Sequence, residues 1–197
     1  VTGPEHQSAI MREIHGQLAR EGGRPEYGDW DGTFWGTRGR PILIADEIDQ
    51  IERLRYCLAN STKEHLVTRP ELWPGAHAAK ALCGSMTDKG IWINRTKLDA
   101  LKRRAGSDKR LSLQACTEHV TLRLSKLPCY AHLTDLEYQT QMKAMCRDIS
   151  DEAAHERRVA GTSVLGVKRL LRYSPHHVPE KMDKTPAPKV HSVCPEF

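Results

Sequence analysis

What this chain of 197 residues lacks excludes more than its composition suggests. Its six cysteines (Cys57, Cys83, Cys116, Cys129, Cys146, Cys194) form no Cys-x-x-Cys pair. Zinc knuckles and thioredoxin-like redox sites need that spacing, so both are disfavoured. With no secretory signal, the cysteines read as reduced thiols of a cytoplasmic protein. No apolar run approaches the roughly 20 residues that cross a bilayer, so no membrane partner is expected. Phenylalanine occurs only twice, and 39% hydrophobic against 28% charged residues describes a globular chain with a modest core. Ser/His/Asp hydrolase motifs and phosphate-cradling glycine loops are absent. A net charge of +5 permits nucleic-acid binding without requiring it.

The pattern that is present predicts an α+β chain, predominantly helical. Ile10, Met11, Ile14 and Leu18 mark a first helix from Glu5 to Glu21, stopped by Gly22-Gly23. The stretch from Arg24 to Gly39 is loop chemistry carrying large rings, and Arg40-Pro41-Ile42-Leu43-Ile44 is a short strand. Thr68 to Gly75 reads as a turn anchored by Trp73, and Ala76 to Cys83 as a short helix. Strands are expected at Ile91-Trp92-Ile93 and from His119 to Leu124, the second alternating polar with apolar, with a basic helix from Lys97 to Arg104 between them. Thr134-Asp135-Leu136-Glu137 has capping-box form and opens a long helix striped by Tyr138, Met142, Met145, Ile149 and Ala153. A short helix from Val164 to Tyr173 follows, and the Pro- and Lys-rich tail from Ser174 reads as disordered.

One tyrosine stands out against this pattern. Asp46 is an N-cap for a helix whose apolar residues Ile48, Ile51, Leu54 and Leu58 make one stripe. Tyr56 points away from the stripe, with Asp49, Arg53, Asn60 and Lys63. Its ring is therefore offered to something other than the core, although tyrosines on solvated helix faces are ordinary.

The segments Phe34-Trp35-Gly36-Thr37-Arg38-Gly39-Arg40-Pro41-Ile42-Leu43-Ile44, Asp46-Glu47, Arg53-Leu54-Arg55-Tyr56-Cys57-Leu58-Ala59-Asn60, His65-Leu66-Val67 and Pro70-Glu71-Leu72-Trp73-Pro74 occur in that order. Together they resemble the C-terminal half of the catalytic domain of REP-associated tyrosine transposases, single-tyrosine members of the His-hydrophobic-His nuclease group encoded by mobile elements. The match covers about residues 10 to 75. The runs Val164-Leu165-Gly166-Val167, Pro175-His176-His177-Val178-Pro179 and Pro186-Ala187-Pro188-Lys189-Val190-His191 are similar to the C-terminal extension of one bacterial branch.

The resemblance implies a partial ferredoxin-like domain, its tyrosine-helix half, in residues 1–75. An accessory α+β extension then spans 76–160, and 161–197 holds a short basic helix and the tail. It also implies an enzyme in which the tyrosine hydroxyl, here that of Tyr56, cleaves and rejoins single-stranded or hairpin DNA through a 5′-phosphotyrosine. A free phenol ionises near pH 10, so the phosphate must be activated, which in the family falls to a divalent metal, Mg or Mn. Asn60, one turn after Tyr56, is the expected i+4 metal ligand. The metal's two histidines come from a central strand in the family. Here no two of the ten histidines are separated by a single residue, and the family's Asn-Pro is Asn60-Ser61. The expectation is a member truncated before its metal strand, which does not bind the metal alone and is inactive or impaired. The alternative is a catalytically silent DNA-binding remnant or pseudogene product.

Arg38 and Arg40 are the leading DNA contacts, with Arg53 and Lys63 as phosphate ligands or members of a solvated face. Trp30 and Phe34 either stack on bases or pack the loop onto the first helix, and packing is favoured for Trp35. The cluster Lys97, Lys102, Arg103, Arg104 and the cluster Lys168, Arg169, Arg172 read as solvated faces. Oligomeric state is left open.

Overall fold

The structure, a computed structural model, describes residues 4–22, 34–35, 42–105, 113–172 and 190–191. It is α+β and mostly helical. Packing divides the chain into two units, Val1–Leu54 with Leu165–Phe197, and Arg55–Val164. None of its helices is long and apolar enough to cross a membrane among the described residues.

The first unit holds helix α1 (Pro4–Gly22), strand β1 (Leu43–Ile44) and the opening turns of helix α2 (Glu47–Lys63). Asp46 caps α2 as the sequence predicts: its Oδ1 accepts the Asp49 N–H at 2.7 Å. Helix α6 covers only Val167–Leu170, shorter than expected, because Gly166 at φ 82° sets its N-terminus there. Strand β4 (Val190–His191) lies inside the segment read as disordered and pairs parallel with β1, Leu43 opposite Val190. The remainder of that tail from Tyr173 lies outside the described residues.

The second unit contains the core. After α2 come a 3₁₀ turn (Pro70–Leu72), helix α3 (Ala79–Cys83), strand β2 (Thr87–Ile93), helix α4 (Arg95–Ala105), strand β3 (Thr117–Arg123) and the 26-residue helix α5 (Asp135–Ala160). Strands β2 and β3 pair antiparallel, with Gly90 opposite Val120 and Trp92 opposite Glu118. The alternation expected of the second strand does not translate into burial: Ile91, Trp92, Val120 and Leu122 are all exposed. Most of the buried residues of this unit lie on its helical side, with Met86, Leu98 and Cys116 buried beside the strands. On the helical side Tyr138, Met142, Cys146, Ile149 and Ala153 line one face of α5, and α3 packs against it with Ala79, Ala81 and Leu82 buried. The stripe follows the sequence expectation except that Cys146 is buried where Met145 is only half-buried. Full burial of each large member contributes about 1.5–3 kcal/mol.

Helix α2 departs from its predicted stripe. Leu58 is 1% exposed as expected, but Ile48 is 56% exposed and Asp49, expected on the polar face, is 3% exposed. Asp49 lies in the first turn, where the unsatisfied N–H groups and the helix dipole stabilise a carboxylate. At the other end Ser61 and Thr62 are buried beside Leu58. The helix stops in a Schellman motif. The Leu66 N–H reaches Ser61 O at 3.0 Å, the His65 N–H reaches Thr62 O at 3.1 Å, and His65 occupies the left-handed region at φ 55°. The motif runs through His65-Leu66-Val67, with Val67 1% exposed.

Helix α5 opens with the predicted capping box: the Thr134 N–H donates to Glu137 Oε2 at 2.8 Å and the Glu137 N–H donates to Thr134 Oγ1 at 3.3 Å. These bonds hold the Glu137 carboxyl below its usual range, and a 2.9 Å bridge from Lys126 does the same for Asp135.

Two outcomes follow. A left-handed position costs a residue with a Cβ about 1–2 kcal/mol that glycine avoids. His65→Gly should therefore stabilise the protein by up to about 1 kcal/mol in urea melts, and His65→Val should destabilise it by a similar amount. Because Asp135 and Glu137 ionise more readily folded than unfolded, their contribution is present above pH about 4. It is lost as pH falls through the folded values, so helicity should fray first at the α5 N-terminus on acidification, read by amide exchange.

Candidate functional site

Helix α2 sets out the predicted residues along one edge. Tyr56, Asn60 and Lys63 are exposed at i, i+4 and i+7, so successive turns present a phenol, a carboxamide and an ammonium. Arg53, one turn earlier along the same helix, is half-buried and its guanidinium lies 3.9 Å from Glu52. The C-terminal half of the helix is held from two directions. Leu58, Ser61 and Thr62 anchor its inner face, and Arg55, next to Tyr56, pairs with Glu152 of α5 at 2.5 Å. Partly exposed as it is, that pair contributes at most about 1 kcal/mol.

A metal beside Tyr56 finds little to hold it. Asn60 offers one exposed carboxamide oxygen. Among the described residues, the group of three His, Cys, Asp or Glu side chains close enough to share an ion is Glu71, Cys83 and Cys146, none of which lies on α2. The described residues do not fit the metal that the transposase resemblance implies.

Two of the loop aromatics, Phe34 and Trp35, make packing contacts. Trp35 donates its indole N–H to the His15 carbonyl of α1 at 3.1 Å, and its ring lies 4.7 Å from the His15 imidazole. Phe34 meets Trp35 edge-on at 4.9 Å. A Cβ at Gly22 would come within 2.5 Å of the Phe34 ring, so the glycine that ends α1 also admits this ring. Trp35 keeps 42% exposure. Trp30, Arg38 and Arg40 lie outside the described residues.

The cysteine pair was invisible to motif reading. Cys83 ends α3 and Cys146 sits mid-α5, 63 residues apart, yet their sulfurs are 3.5 Å from each other. The hydrogen bond between them lowers the Cys83 thiol, while the same bond, burial and the charges of Cys83 and Glu71 raise Cys146. Sequence spacing carries no trace of this, because the two residues meet only through the packing of α3 on α5.

No protein-family model, curated protein or solved structure matches the chain.

If Trp35 packs the loop on α1, Trp35→Ala should lower stability by about 1–3 kcal/mol, from a lost ring and a lost hydrogen bond. Unaltered stability in urea melts would overturn the packing role of Trp35.

Proposed function

We propose that this chain is a DNA-binding relative of REP-associated tyrosine transposases. It takes single-stranded or hairpin DNA along the outer edge of α2, with Tyr56 as the inherited nucleophile. The observation that carries the reading is the exposed Tyr56–Asn60–Lys63 edge, on a helix capped by Asp46 and closed at His65-Leu66-Val67, in the family's motif order. The ferredoxin-like ancestry of residues 1–75 belongs to the same proposal and rests on the same motifs.

Cleavage is dormant in these residues by themselves. A tyrosine hydroxyl displaces a DNA oxygen only when the developing charge on the phosphoryl oxygens is neutralised, and the lost Lewis acid is worth several kcal/mol of that barrier. Lys63 and Arg53 supply phosphate attraction, which positions DNA without making the leaving group depart.

The test is incubation with a hairpin oligonucleotide in Mg or Mn, read by gel shift and by denaturing gel. Expected are a shift that weakens steeply with salt and no covalent adduct. Lys63→Gln should weaken binding across all sequences and reduce the salt slope by about 1. An adduct that disappears in Tyr56→Phe would overturn dormancy and make the chain a working transposase. Absence of any shift at low salt would overturn the DNA reading itself.

A further inference from the structure

We propose that Glu71, Cys83 and Cys146 form a zinc site that clips the 3₁₀ turn, α3 and α5 together.

Each residue offers one ligand atom, and the three atoms lie within 4.8 Å of one another. The Cys83–Cys146 separation of 3.5 Å is close to the edge of a zinc–thiolate tetrahedron, about 3.8 Å for Zn–S bonds of about 2.3 Å. A disulfide would need the sulfurs to close to about 2.0 Å. The donor set, two thiolates and a carboxylate, is one that zinc accepts, whereas magnesium and calcium select oxygen alone. Closing to a tetrahedral site requires the carboxylate to come within about 3.5 Å of each sulfur from a starting limit of 4.8 Å.

A second observation points to a cation independently of the sulfurs. Glu71 Oε2 is buried and accepts no hydrogen bond among the described residues. A carboxylate oxygen removed from water without a donor costs a few kcal/mol, and a metal is the partner that would satisfy it. Access is available, since Glu71 and Cys83 are half-buried while only Cys146 is enclosed.

Zinc binding involves no redox change. The ion takes the place of the two thiol protons, which leave to solvent, and bonds to both sulfurs and to the carboxylate, with water free to take the fourth position. The three ligands come from three different elements that already pack on one another: the turn at Pro70–Leu72, the end of α3 and the middle of α5. The ion would therefore hold three elements of the second unit together while keeping one position for water. The site is independent of the DNA reading and stands or falls without it.

The experiment uses the reduced full chain, titrated with Co(II) as an optical stand-in and then with zinc. Expected are one Co per chain, a thiolate-to-metal charge-transfer band, its displacement by zinc, and a zinc-dependent rise in Tm. Cys83→Ala should abolish the band while circular dichroism stays native. Glu71→Gln removes less than a sulfur and leaves the core intact; even outer-shell changes weaken metal sites about 10–100-fold, so at least tenfold weaker binding is expected. Zinc should also shield Cys83 from alkylation, read by mass spectrometry. The site is overturned by a missing band in the wild-type chain, or by a band undiminished in Cys83→Ala, which would place the metal on Cys57, Cys116, Cys129 or Cys194. It is equally overturned if Cys83 and Cys146 oxidise to a disulfide as fast with zinc as without.

Discussion

The packing of α5 on α3 is the contact on which the second unit depends. Tyr138, Met142, Cys146, Ile149 and Ala153 recur every three or four residues along α5 and are all buried. Small residues on α3, Ala79 and Ala81, let that helix approach closely enough for Cys83 to reach Cys146. Gly84 then turns the chain away; a Cβ there would meet the Lys80 carbonyl at 2.8 Å. Met86, buried and at φ 57°, turns the chain into β2, and its carbonyl accepts the Leu124 N–H that closes the hairpin at 2.8 Å. The exposed hairpin thus gets its foothold from the helical core rather than from a sheet face of its own.

What could be read in the sequence was local. The capping box at Thr134–Glu137 and the Asp46 cap rest on neighbours within four residues, and both form as read. What escaped involved residues distant in sequence. Periodicity placed Ile48 inside and Asp49 outside because it weighs side chains by polarity alone, whereas the fold buries whichever face of α2 the packing demands. A missing Cys-x-x-Cys argued against zinc only for sites built on one local loop. Glu71, Cys83 and Cys146 come from a turn and two helices, and no spacing rule anticipates them. The Tyr56 edge was legible for the opposite reason: Tyr56, Asn60 and Lys63 share a face by helical geometry alone, and all three prove exposed.

The two candidate sites make different demands on the same unit. On the proposed reading, DNA binding needs charge and exposure, which the outer edge of α2 has, and tolerates modest misplacement because phosphate attraction acts over several ångströms. Metal binding needs distances correct to a few tenths of an ångström, and these come from the well-packed seam of α3 and α5.

On the same proposed reading, that difference would leave a nucleophile dormant rather than absent. A tyrosine on an exposed helix edge costs the fold nothing, so the phenol persists whether or not it reacts. A histidine pair for metal must be inward-facing and held by second-shell partners, and its upkeep is a constraint on the core. Arg55, paired with Glu152, and the Schellman turn at His65 keep the Tyr56 edge oriented for reasons of helix packing and termination alone. On the proposed reading, the orientation of an inherited tyrosine can outlast metal chemistry, because the contacts that aim this helix, the Arg55–Glu152 pair and the turn at His65, belong to helix packing and termination.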